Sequence, residues 1–150
     1  MCCIRVNMDL PELTERQKKL FVLEITRIME DLEFRRDLLL EIWGRHRDRG
    51  PMIDTVFSRW STLGFDDLAL LDSELMVVLD AYYRELEELK LLFGYTEAMP
   101  TSLGELYDWR FERLSIVAKD VIDKLGGPPE RPELPSFDDF LAKQESEGAE

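Results

Sequence analysis

Cysteine and histidine are scarce in this 150-residue chain. It holds two adjacent cysteines, Cys2 and Cys3, and one histidine, His46. Adjacent cysteines exclude a disulfide framework. One histidine excludes both the paired Glu-x-x-His motifs of a di-iron helical protein and a zinc site with two histidines. Since no glycine-rich phosphate loop or dinucleotide fingerprint occurs either, the sequence predicts no catalytic residue and no cofactor.

Long apolar runs are also missing. No stretch approaches the roughly 18 apolar residues that suggest a transmembrane helix, and no signal-peptide pattern is present. We therefore expect a cytoplasmic protein with no membrane partner. The exception would be acylation of Cys2 and Cys3, because cysteines close to a membrane are palmitoylation sites. Otherwise, residues 1–13 are expected to form an irregular lead-in.

Negative charge is abundant but unevenly distributed. Residues 1–60 carry 11 basic and 11 acidic side chains, whereas residues 61–150 carry 8 and 21, which accounts for the whole net charge of −13. Such a field repels nucleic-acid phosphates and attracts basic surfaces. The charge predicts a protein partner with a basic surface and no nucleic-acid partner.

The spacing of apolar residues predicts an all-α fold. Between residues 67 and 93 there is no proline or glycine, and apolar residues recur every three or four positions, as on one face of a helix. Two further long helices are predicted: the first over residues 14–48, with Thr14 as N-cap, and the last starting from a capping box of Ser102 and Glu105. The pattern leaves open whether residues 14–48 form one helix or two with a break near residues 31–33. Proline and glycine bound a short helix between Pro51 and Gly64.

These elements predict an antiparallel bundle of three long helices and one short helix over residues 14–127. The glycines and prolines of residues 126–129 end it. The tail, residues 128–150, is acidic and starts with four prolines in eight residues, which favours an extended tether. It then carries a short amphipathic helix with Phe137, Phe140 and Leu141 on one side. The sequence leaves open whether this helix docks on its own bundle or on a partner.

One set of carboxylates has the spacing of a metal site. Glu85 and Glu88 lie near the end of the central helix, and Glu105 and Asp108 lie at the start of the last one. In this E-x-x-E then E-x-x-D order the chain is similar, over these four positions, to the MazG-type all-α nucleoside triphosphate pyrophosphohydrolases. The resemblance implies Mg²⁺ bound by Glu85, Glu88, Glu105 and Asp108. The alternative role of these side chains is solvated helix surface.

Two further features are candidate contact sites. The basic cluster of Arg45, Arg47 and Arg49 could bind an anion or compensate the dipole at the end of the first helix. Trp109 lies off the apolar stripe of the last helix, and tryptophan is enriched at binding hot spots.

The function predicted from the sequence is non-enzymatic binding of another protein by a helical adaptor or regulatory protein. The binding surface would be the acidic half or the tail helix, with Trp109, Phe137, Phe140 and Leu141 as contacts. The alternatives are the Mg²⁺-dependent pyrophosphohydrolase and an acidic mimic of nucleic acid that blocks a nucleic-acid-binding protein. A first helix as long as residues 14–48 also leaves pairing with a second copy open.

Overall fold

The structure, a computed structural model, describes residues 10–148, and these confirm the all-α class: helices are present and no strand occurs in that range. A short 3-10 turn at Trp60–Thr62 lies between the third and fourth α-helices. The α-helices in chain order are α1 (Leu10–Phe34), α2 (Arg36–His46), α3 (Gly50–Thr55), α4 (Phe65–Leu68), α5 (Ser73–Tyr95), α6 (Pro100–Lys124) and α7 (Phe137–Glu147).

The long first helix predicted for residues 14–48 is two helices. The chain leaves α-helical geometry at Arg35, between α1 and α2. At this break the Tyr107 hydroxyl of α6 donates a hydrogen bond to the backbone carbonyl of Leu32. That carbonyl is one of the last four of α1, which lack partners within a helix. Arg36, the first residue of α2, is hydrogen-bonded to Asp108 of α6: its Nη2 donates to Oδ2 of Asp108 at 2.8 Å.

Three predicted helix starts are wrong. Helix α1 already begins at Leu10, so Thr14 is not its N-cap and residues 10–13 are helical rather than irregular. The remainder of the predicted lead-in, with Cys2 and Cys3, lies outside the described residues. Helix α5 begins at Ser73 because the Asp72 carboxylate accepts from the backbone N–H of Leu75 at 2.8 Å and caps it there.

The third wrong start is that of α6. It begins at Pro100, with Met99 as the N-cap residue, so Ser102 and Glu105 lie inside the helix and form no capping box. Proline suits this first position, because its missing N–H would have no partner within the helix.

Most of the predicted core is confirmed. Apolar side chains of α5 and α6 face each other and are buried, including Leu75, Tyr82, Leu86, Leu89 and Phe93 of α5 and Leu103, Tyr107, Leu114, Ala118 and Val121 of α6. The two helices run antiparallel, since Phe93 contacts Tyr107 near their connection, with ring centroids 5.5 Å apart, and Glu74 pairs with Lys124 at the other end.

Helix α6 also packs against α1 and α2. The backbone of α6 approaches α2 closely at Gly104, where an added Cβ atom would lie 3.3 Å from Nη2 of Arg36 and 3.5 Å from Cδ1 of Leu40. A glycine at this position therefore allows the approach without displacing either side chain.

The predicted short helix between Pro51 and Gly64 is shorter than expected. Helix α3 ends at Thr55, and Phe57, in the segment that follows, is exposed. Trp60 does contribute to the interior: its ring stacks on Tyr83 with centroids 4.6 Å apart. No helix within residues 10–148 combines the length and apolar character needed to cross a membrane.

Two buried tyrosine hydroxyls should respond in opposite directions to removal. We expect Tyr107→Phe to lower the free energy of unfolding by about 1–2 kcal/mol, because it leaves the Leu32 carbonyl unpaired. The Tyr82 hydroxyl is buried with no hydrogen-bond partner among the described residues, so Tyr82→Phe should raise the free energy of unfolding by about 1 kcal/mol. Urea unfolding of both variants measures this. Equal destabilisation by the two variants would contradict the assignment of Tyr82 as unpaired.

Candidate functional site

The tail leaves α6 at a glycine pair. Gly126 and Gly127 have φ angles of 107° and 92°, a conformation that side chains oppose, and the N–H of Gly127 donates to the Ile122 carbonyl at 2.9 Å. After this turn, Arg131 returns to α1, where its Nη1 lies 2.6 Å from Oε2 of Glu30. The tail is thus attached to the side of α1 before its terminal helix begins.

Helix α7 carries its own N-terminal cap. Ser136 Oγ accepts from the backbone N–H of Asp139 at 3.2 Å, and the Asp139 carboxylate accepts from the backbone N–H of Ser136 at 2.9 Å. This is a reciprocal capping box. The hydrogen bonds from Ser136, first from its backbone and then from its side chain, lower the pKa of Asp139. The local sequence therefore specifies where α7 begins.

The apolar face of α7 is open to solvent. Phe137, Phe140 and Leu141 are 72%, 51% and 44% exposed, and residues 131–148 are exposed throughout. The two phenylalanine rings lie against each other, with centroids 6.4 Å apart. Three large apolar side chains thus form a continuous surface that nothing in the described part of the chain covers.

Trp109 lies apart from α7, on the surface of α6. It is half-exposed, and the guanidinium groups of Arg110 and Arg113 lie 4.6 and 5.5 Å from its ring centroid. Both arginines also pair with carboxylates of α5: Arg113 with Glu85 at 2.8 Å and Arg110 with Glu88 at 3.5 Å. The indole of Trp109 therefore lies against charged side chains. Among the described residues, it makes no ring contact with Phe137 or Phe140.

Three of the four carboxylates with metal-site spacing pair with arginines. Glu85 and Glu88 pair with the arginines of α6, Asp108 pairs with Arg36, and Glu105 is exposed. The hydrogen bonds from Arg113 lower the pKa of Glu85. Within residues 10–148 no group of three or more His, Cys, Asp and Glu side chains is placed to hold a metal ion.

The basic cluster is occupied by contacts within the chain. Arg45 pairs with Glu41 at 2.8 Å, and Arg47 and Arg49 lie over the Trp43 ring at 5.0 and 4.5 Å. Arg49 also donates to the Phe93 carbonyl, in the last turn of α5, and pairs with Glu97. A cation compensates a helix dipole here, as the alternative role predicted. Arg45 and His46 lie in the last turn of α2, at the end of the predicted first helix, and Arg49 lies at the end of α5.

A groove that was not predicted from the sequence lies beside α1. It has a volume of about 1050 Å³ and lies between α1 and the segment that contains Phe57, Trp60 and Leu63. Its wall includes Tyr83, whose hydroxyl donates to Oε1 of Glu24 at 2.9 Å. The sign of the groove in the sequence is Leu20 and Leu23, two apolar residues that lie off the buried stripe of α1. Their facing segment has no regular pattern, so only the tertiary structure reveals the groove.

The ion pairs of Glu85 predict a pH dependence of stability. Its folded-state pKa lies below the usual value of about 4.3, so its contribution is present above about pH 4.3 and is lost as the pH falls through the folded-state pKa. We expect Glu85→Gln to lower the midpoint of urea unfolding at about pH 7 and to change it much less at about pH 3. Glu87→Gln, an exposed position on the same helix, is the control. A loss of the same size at both pH values would contradict the prediction.

Comparison with known proteins does not assign this chain to a family. The sequence matches no family model, and the searches of curated proteins and of solved structures give no match. The likeness to the MazG-type enzymes thus rests on its four positions alone, and function has to be argued from the side chains described above.

Proposed function

We propose that this chain is a non-enzymatic protein–protein interaction module that binds its partner through the apolar face of α7. The observation that carries this proposal is a formed, capped helix whose Phe137, Phe140 and Leu141 face solvent. The predicted antiparallel bundle of residues 14–127 would be the carrier, and the Pro-rich stretch of residues 128–135 would be the spacer.

The energetics of α7 support a binding role. A helix of 11 residues is marginal in water by itself. Burial of each large apolar side chain contributes about 1.5–3 kcal/mol. A partner groove that buries all three would therefore stabilise both the helix and the complex. This is the way in which amphipathic helices are recognised by grooves.

Charge indicates the kind of partner. The tail, residues 128–150, has seven acidic and two basic side chains. Two of the acidic residues, Asp138 and Asp139, lie in the first turn of α7, and Asp138 lies at the edge of the apolar face. A groove with an apolar floor and basic rims would complement this helix, and its basic rims would also speed association at low salt.

The double variant Phe137→Ala/Phe140→Ala tests the proposal. We expect it to weaken partner binding at least about tenfold, as loss of hot-spot aromatics does. Its bundle should stay folded at the temperature of the binding assay, because both rings lie outside the buried core. Partner capture by full-length baits is compared by mass spectrometry, and titration of the captured protein then measures the change in binding. Calorimetry measures thermal unfolding.

Phe65→Ala is the matched control, because Phe65 is 93% exposed and lies outside the tail. Equal capture by wild type, double variant and control would refute a role for α7 and make Trp109 the next residue to replace. Unfolding of the bundle in the double variant at the temperature of the assay would show that α7 belongs to the folded core.

The two alternative functions have their own tests. The Mg²⁺-dependent pyrophosphohydrolase would release pyrophosphate from a nucleoside triphosphate and would lose this activity in Glu88→Gln. The arginine partners of Glu85, Glu88 and Asp108 favour the binding role over this alternative. A nucleic-acid mimic would compete with DNA or RNA for a binding protein, and that competition would persist in Phe137→Ala/Phe140→Ala.

A further inference from the structure

The lining of the groove beside α1 includes exposed apolar side chains. Leu20, Leu23 and Phe57 line it and are 66%, 42% and 62% exposed. Trp60 and Leu63 form part of the same lining and are only partly buried. Contiguous apolar surface of this kind marks an interaction site in most soluble proteins.

The tail starts at the rim of this groove. Glu30 and Arg131 both line it, and their ion pair fixes the chain there. Phe137 follows six residues later, a span of at most about 20 Å when extended. Along α1, Leu23 lies about 10 Å and Leu20 about 15 Å from Glu30, at 1.5 Å per residue. Helix α7 can therefore reach the groove of its own chain while the ion pair stays intact.

The length and charge of α7 suit the groove. Its 11 residues span about 16 Å, close to the distance from Glu30 to Leu20. Asp138 and Glu145 lie along one edge of its apolar face, because residues seven apart are nearly aligned on a helix. The groove holds Arg27 and Arg59, and neither has an ion-pair partner among the described residues. Two acidic groups on the helix thus meet two available cations.

Five acidic residues also line the groove; Asp54 and Asp67 have no ion-pair partner in the described part of the chain, whereas the other three are engaged. Glu30 and Asp31 are paired with Arg131 and Arg35. Glu24 accepts the hydrogen bond of the Tyr83 hydroxyl.

We propose that α7 is a strap that closes onto the α1 groove of its own chain, antiparallel to α1. Closure places Phe137, Phe140 and Leu141 against the apolar lining and hides them from solvent. The conformation described here is the open one. Resting on the proposed function, this inference makes groove and partner competitors for the same helix face, so the chain restrains its own partner binding.

Cross-linking in the full-length chain tests the strap without any partner. The native Cys2 and Cys3 are first replaced by serine. Two cysteines are then introduced: Gln17→Cys in the groove and Gln144→Cys on the apolar face of α7. A short bismaleimide reagent should join them within one chain, about tenfold faster than in the control pair Val77→Cys/Gln144→Cys, since tethering in the groove raises the effective concentration. Val77 is exposed on α5 and does not line the groove. Peptide mass spectrometry identifies the linked residues.

Three outcomes would overturn the strap: equal rates in the two pairs, no link in either pair, or links only between chains. The last would assign the groove to the tail of a second copy.

The restraint itself is measured with Leu20→Ala/Leu23→Ala. This variant should bind the α7 partner several-fold more tightly than the wild type, because the competing groove is weakened. Unchanged binding would overturn the regulatory role. If the Gln17→Cys/Gln144→Cys pair does not cross-link but α7 still captures a partner, only the strap is refuted. If the pair cross-links but no partner is captured through α7, only the proposed function is refuted.

Discussion

Burial of one face of α6 is the constraint on which the rest of the structure depends. Leu103, Tyr107, Leu114 and Val121 are almost completely buried between α5 on one side and α1 with α2 on the other. None of these helices would be stable alone in water, because most helical stability in proteins comes from tertiary packing. The position of α6 decides where α1 must end, since Tyr107 takes the carbonyl of Leu32.

Electrostatics inside the chain follow from the same packing. Ion pairs flank the buried face of α6 on both sides: Arg36 with Asp108 toward α2, and Arg113 with Glu85 toward α5. Exposed pairs of this kind contribute little to stability individually, but they fix the rotation of α6 relative to its neighbours. They also use the arginines and carboxylates that a binding or metal site would need. The acidic tail carries no comparable set of cations.

The face of α7 and the groove beside α1 are apolar surfaces that stay exposed after the core is formed. They are joined by a short, Pro-rich segment that begins at the ion pair of Arg131 with Glu30. A helix that is marginal alone gains stability from whichever surface covers it, its own groove or a partner. Control of binding by such a strap requires only that the two covered states differ by a few kcal/mol.

The sequence by itself determined the all-α class and most of the buried residues of α5 and α6, because a spacing of three and four residues records one helix face. It also predicted the amphipathic helix of the tail, because helical spacing is a local property of the sequence. It could not determine where α5 begins, since Leu68 and Leu71 fit the helical spacing yet precede Asp72. The break at Arg35, the partners of Glu85 and Arg49, and the groove beside α1 were decided only by the tertiary structure. Each depends on contacts between residues far apart in the chain, and no local pattern encodes those contacts.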